Sequence, residues 1–250
     1  MNQFLIPFIL ATIAGLSTML GVLLINIKYN QNKLTKFSLA FASGVMLSLS
    51  LLELTKESLI LFLKTNNKNI SFIYVSTAII IGIILSIIID KIIPTNKKAN
   101  NKKLYKIGII SMIAIILHNI PEGVITFITN KENLNLGINL TVAILLHNIT
   151  EGISIAIPIY AATGNKNRAV IYTSISALAE PLGAILAFLF LSPIVTNNIL
   201  GLLLALTAGI MLYIGLFKLL KEALQYNNKY NILLFFMLGI FLIIINNIII

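Results

Sequence analysis

The chain has 250 residues, of which 58% are hydrophobic and only 10% charged, with a mean hydropathy of +0.98, outside the range of soluble domains. That composition excludes a soluble enzyme and leaves an integral membrane protein, while the lack of cysteine excludes disulfides, thiolate metal sites and cysteine nucleophiles. The formal charge of +10 suggests nucleic acid or an acidic partner only until the positions of the charges are read.

Spanning about 30 Å of hydrocarbon takes roughly 20 apolar residues. Eight segments qualify, at about 3–27, 37–63, 71–93, 106–128, 136–160, 168–191, 197–217 and 231–249. The first opens Met1-Asn2-Gln3-Phe4-Leu5 with no basic leader and no small-residue cleavage site, so it reads as a membrane helix and not a cleaved signal. Its Ser17 and Gly21 offer a small-xxx-small contact within the protomer or across a homodimer. In the second segment Glu53 sits well inside the span, as an entrance ligand or as the partner of Lys56. Lys56 and Glu57 read as interfacial, snorkelling charges. The third ends at Asp90, Lys91 and Pro94, and Thr95 to Lys103 form a short solvated loop. Asn, Lys and Ile are abundant throughout, which reads as a nucleotide bias of the source genome.

The fourth and fifth segments hold one repeated hexapeptide, His118-Asn119-Ile120-Pro121-Glu122-Gly123 and His147-Asn148-Ile149-Thr150-Glu151-Gly152, which contain both histidines of the chain. The sixth carries Glu180 before Pro181. In the seventh, the stretch from Gly209 to Leu224 aligns without a gap on Gly44 to Leu59 of the second, which makes Lys218 the counterpart of Glu53. Lys218 reads as an anchor at the helix end, and Asp90, Lys91 and Glu222 as helix-end charges. The eighth is plainly apolar.

Placing the N-terminus outside puts 14 of the 18 basic residues on the cytoplasmic side, with Lys64, Lys68 and Lys131 opposite and Lys56 within a span. This is the positive-inside pattern. The basic excess is therefore a topology signal with both termini outside, not a nucleic-acid surface. Helices 2 and 7 then run in opposite directions, as do 4 and 5. The expected fold is one all-α domain over residues 1–250, eight transmembrane helices in a 3+2+3 inverted-repeat bundle. Such repeats are a transporter signature, with the substrate site near the midplane.

Ionisable groups at that depth are costly and functional by default. At about 100° per residue, Glu122 projects roughly 40° from His118 and Asn119 roughly 100°, so one carboxylate can serve two ions, and His147, Asn148 and Glu151 repeat the geometry. Neutral imidazole, amide oxygen and carboxylate suit a first-row divalent metal. Without thiolates such a site binds less tightly, as a carrier needs. Pro121 frees the carbonyl of Leu117 and kinks the fourth helix beside the site. Glu180 is a further candidate ligand.

Rival chemistries fit less well. A zinc protease needs HExxH with the glutamate next to the first histidine, and a di-metal oxidase needs Glu-x-x-His on facing helices. Here the order is HNxxE. A metal sensor lacks any soluble output domain.

At these residues the sequence resembles the ZIP family of divalent-metal transporters, and within it the bacterial zinc-uptake branch, over the whole chain. The resemblance implies metal ligands at His118, Asn119, Glu122, His147, Asn148, Glu151 and Glu180, forming a binuclear site with shared carboxylates. It implies zinc uptake across the cell membrane into the cytoplasm, with iron, manganese, cobalt or cadmium as further substrates, and no catalytic cofactor. Thr150 stands where the second hexapeptide usually has proline, Lys56 and Lys221 also stand at usual proline positions, and Lys218 replaces a neutral or acidic residue.

Overall fold

The computed structural model describes residues 2–27, 30–93, 99–191 and 196–249. Among them are eight helices long and apolar enough to cross a membrane, and no strand. They are α1 (Phe4–Asn26), α2 (Gln31–Leu63), α3 (Lys68–Ile92), α4 (Lys102–Glu132), α5 (Leu134–Thr163), α6 (Lys166–Phe190), α7 (Asn197–Ala223) and α8 (Lys229–Asn246). Lys28, Pro94 and Thr95 to Lys98, which enter the loop and charge readings above, lie outside the described residues.

Several helices run past the ends that hydropathy predicts, because polar residues continue the helical hydrogen bonding into the interface. Asparagine sets most of these ends. Asn30, Asn67, Asn101, Asn133 and Asn165 each accept a hydrogen bond from a backbone N–H in the first turn of the helix that follows, and Thr196 does the same for α7. Each such cap contributes about 1 kcal/mol. The asparagine-rich composition thus does structural work that a bias reading overlooks. Asn133 alone joins α4 to α5: its N–H donates to the Thr129 carbonyl at 2.8 Å while its side chain caps α5. At the far end of α5, Gly164 takes a left-handed φ of 64° and donates to the Tyr160 carbonyl at 2.7 Å, a stop that favours glycine.

Four helix pairs approach through reciprocal glycines. A Cβ on Gly152 of α5 would lie 1.8 Å from the Thr18 carbonyl oxygen of α1, and one on Gly21 would lie 2.8 Å from that of Ile149. Gly123 of α4 and Gly183 of α6 face the carbonyls of Glu180 and Ile120 in the same way, at 2.0 and 2.1 Å. Gly44 of α2 pairs with Gly239 of α8, and Gly82 of α3 with Gly209 of α7, again at 2.1 to 2.2 Å from carbonyl oxygens. Every one of these glycines meets the carbonyl three residues before its partner glycine. Backbones this close pack by dispersion and weak Cα–H···O contacts, the usual adhesive where lipid removes the hydrophobic drive. The Ser17 and Gly21 contact is made inside the chain, since the Ser17 hydroxyl also lies 3.0 Å from the Leu145 carbonyl.

Helices α2 and α5 are the most enclosed, whereas α3 and α8 present most of their surface outward. One apolar cluster, with Leu39, Met46, Ile110, Ile155 and Met211 among its buried members, runs through the bundle. Exposed Leu, Ile and Phe cover the periphery, a face suited to acyl chains. Four of the described helices depart from regular α geometry: α1 tightens to a 3-10 helix over Thr18–Asn26, and α2, α6 and α7 widen to a π-helix over Leu49–Leu54, Ala187–Leu191 and Gly215–Leu220. In the alignment of Gly44 on Gly209 the π segments of α2 and α7 fall one residue apart.

Candidate metal site

The one-residue connection at Asn133 sets α4 and α5 side by side and brings the two hexapeptides to one level. At about 1.5 Å per residue, the stretches Glu122–Glu132 and Leu134–His147 set them roughly 15 to 20 Å from that end, close to the middle of an apolar span. All seven residues singled out in the sequence are buried, from 0% exposed for Asn119, Asn148 and Glu180 to 7% for Glu122.

They fall into two groups. His118, Glu122 and His147 offer ligand atoms within 4.8 Å of one another, and Glu151 adjoins them. His147 Nε2 lies 2.8 Å from Glu122 Oε1, and His118 Nε2 lies 3.6 Å from both Glu122 Oε2 and Glu151 Oε1. The imidazole rings are 6.2 Å apart at 42°. His147 therefore engages the carboxylate of the opposite helix, and His118 lies equally near the glutamate of its own helix and that of the other, whereas helix geometry alone pairs each with the glutamate four residues along its own.

The second group is Asn119, Asn148 and Glu180. The Asn148 amide donates to Glu180 Oε2 at 2.8 Å and to the Ala14 carbonyl at 3.0 Å. The Asn119 amide reaches the Ser176 carbonyl at 3.5 Å. Both asparagines thus turn their N–H groups away and keep their oxygens free. The close approach of Gly123 and Gly183 is what brings α6, with Glu180, against α4.

The free valences decide what this cluster can do. His118 Nδ1 and Nε2, His147 Nδ1, Glu122 Oε2, both Glu151 oxygens, Glu180 Oε1, Asn119 Oδ1 and Asn148 Oδ1 are all buried with no hydrogen-bond partner. Buried polar atoms are otherwise almost always paired. Nearly all of these orphans are acceptors of the kind a divalent cation binds.

Residues with weaker sequence signals resolve as follows. Thr150 donates its hydroxyl to the His147 carbonyl at 2.7 Å, a back-bond that bends a helix mildly where α4 has Pro121. Glu53 makes no ion pair with Lys56 among the described residues, and its Oε2 is buried and unpartnered. Lys218 pairs with Asp90 at 2.6 Å, Lys106 with Asp90 at 3.2 Å, and Lys103 with Glu222 at 2.6 Å. These helix-end charges tie α3, α4 and α7 together. Pro158, inside α5, carries no ligand signal and was passed over in the sequence.

Comparison with known proteins completes the description. The family model described as ZIP zinc transporter matches residues 94–247. A zinc transporter ZupT of Streptococcus mutans is 38% identical over 243 residues, covering 92% of each chain. Proteins of the same name from Oceanobacillus iheyensis and Clostridium perfringens are 37% and 36% identical, covering 92% of this chain and 92% and 90% of theirs.

Proposed function

The chain belongs to the ZIP family of zinc transporters, and from that premise we propose that it takes up zinc across the cell membrane into the cytoplasm. One observation carries the reading: a buried His118, Glu122, His147 and Glu151 cluster in which every ligand atom except the paired His147 Nε2 and Glu122 Oε1 lacks a protein partner. An arriving zinc ion exchanges its water for these atoms, and its charge offsets the cost of holding two carboxylates in apolar surroundings. Asn119, Asn148 and Glu180 supply the oxygens for a second ion, with Glu122 and Glu151 between the two. An all-oxygen second position suits the harder ions manganese and iron, and these two, with cobalt and cadmium held through the imidazoles of the first position, are proposed as further substrates.

Direction follows from charge. With the Asn133 end outside, most lysines face the cytoplasm, and a divalent cation moving inward across 100 mV gains about 4.6 kcal/mol, twice the value for one charge. No nucleotide-binding loop is involved. The inverted repeat is supported by the glycine pairs, since α1 on α5 matches α6 on α4 and α2 on α8 matches α7 on α3. It is also supported by the aligned π segments. We further propose that the whole chain is one transmembrane unit and that it pairs as a homodimer through its lipid-facing helices. An intramembrane enzyme is the weaker reading, because the relatives are named transporters and the residue order suits neither protease nor oxidase chemistry.

Zinc uptake into proteoliposomes tests this. The parent should transport, and Glu122→Ala, Glu151→Ala and His147→Ala, each verified as folded, should not. Full uptake by the folded glutamate variants would remove the proposed site. Competition by iron, manganese and cadmium in the same assay sets the substrate range.

A further inference from the structure

We propose that Glu53 is the first intramembrane ligand of the incoming divalent cation, taking it from a cavity on the outer side and passing it to Glu122 and His147. The inference rests on the transport reading above.

A cavity of about 330 Å³ opens where α2, α4 and α7 end on the outer side, lined by Glu57, Lys64, Thr129, Lys131 and Glu132 among others. Glu53 and the cluster lie beyond its lining residues, on the inward continuation of α2 and α4. Its wall residues Ile125 and Thr129 sit about one and two turns outward of Glu122 on α4. Glu122 is also the most accessible of the four, with its side chain 9% exposed against 1% for each histidine and 0% for Glu151.

Glu53 stands one turn deeper than Glu57 on α2. Its Oε2 is shut off from solvent without a hydrogen-bond partner, and it lies near enough to His147, Glu122, Glu57 and Lys56 for their charges to act on it, though none of them forms an ion pair with it. Its own charge acts in turn on His147 and Glu151. An unpaired carboxylate at this depth is unfavourable unless a cation visits it. The residue sits in the π segment Leu49–Leu54, where the Thr55 hydroxyl donates to the Ser50 carbonyl at 2.7 Å. Such widened turns recur at functional sites because they re-aim a side chain.

The opposite half of the bundle supplies the contrast. The equivalent position of α7 holds Lys218, paired at 2.6 Å with Asp90, a carboxylate that Lys106 shares. At this pair of positions a carboxylate without an ion-pair partner among the described residues stands on the outer side, and a cation already engaged stands at its counterpart. This favours recruitment from outside over rebinding from within.

The test is zinc uptake into proteoliposomes with sided insertion, together with equilibrium zinc binding in detergent. Glu53→Gln should raise KM about tenfold, the low end of what a fixed opposite charge adds to the capture of an ion, with maximal rate and equilibrium affinity changed by less than about threefold. Glu53→Asp, one methylene shorter but still charged, should recover part of the KM. A parent-like KM for Glu53→Gln, or a lower maximal rate at unchanged KM, overturns the proposal. So does failure of both variants to fold, which marks Glu53 as structural. Glu122→Gln serves as the control. If it transports like the parent, the transport site itself is misassigned; if it is inactive while Glu53→Gln behaves as the parent, only the relay fails.

Discussion

The two histidines have the same spacing in sequence and different surroundings in the fold. His147 Nε2 engages Glu122 at 2.8 Å, whereas neither nitrogen of His118 has a hydrogen-bond partner. Removing His147 strands a buried carboxylate, a change of about 3 kcal/mol, while removing His118, 3.6 Å from both Glu122 and Glu151, breaks no hydrogen bond. Without zinc, His147→Ala should melt well below His118→Ala, and added zinc should raise the melting temperature of the parent but of neither variant. The reverse order in zinc-free detergent would contradict the pairing described here. The hexapeptides were legible because His, Asn and Glu stand out against apolar neighbours. Their cross-pairing was not, since helical periodicity gives each side chain a direction without saying what it meets. Thr150 shows the same limit: its difference from proline is plain in sequence, its bond to the His147 carbonyl only in three dimensions.

At the scale of helices, the glycine pairs hold the arrangement. A Cβ on Gly123 or on Gly82 would press on a carbonyl oxygen at 2.0 or 2.1 Å, so Gly123→Ala and Gly82→Ala should each destabilise by about 1 to 3 kcal/mol. Their effects on uptake should differ. Gly123 abuts the backbone of Glu180, and displacing a ligand by a fraction of an ångström should lower uptake per folded molecule by more than about tenfold. Gly82→Ala, which strains α3 against α7 away from the hexapeptides, should change uptake per folded molecule far less. Equal losses in the two variants would separate Gly123 from the ligand geometry. Helix number and order followed from hydropathy, since eight apolar stretches leave little chain for anything else. Five helices start two to six residues before the ends that hydropathy predicts, because asparagine caps carry them into polar sequence that a hydropathy window discards. The π segments in α2 and α7 have no composition signal; their counterpart in sequence is only the ungapped match of residues 44–59 to 209–224.

Across the whole molecule, orientation is the property most open to direct measurement. The chain has no cysteine, so single replacements report sidedness without background. In intact cells Lys64→Cys should react with a membrane-impermeant maleimide, and Lys103→Cys should react only after permeabilisation. The opposite pattern would invert the bundle and with it the route from Glu57 to Glu53. Breaking the tie among α3, α4 and α7 with Asp90→Asn, which leaves Lys106 and Lys218 unpaired at a partly buried position, should destabilise by about 1 to 3 kcal/mol. Hydropathy, charge placement and the repeated hexapeptide suffice for a polytopic helical protein with a buried cation site, because bilayer thickness and the cost of intramembrane charge act on residue type and spacing alone. Which carboxylate faces which histidine, which oxygens stay free, and that Glu53 Oε2 has no partner while Lys218 is paired with Asp90 all depend on contacts between helices remote in the chain. Those contacts arise where glycines let backbones touch, and no local pattern encodes the partner.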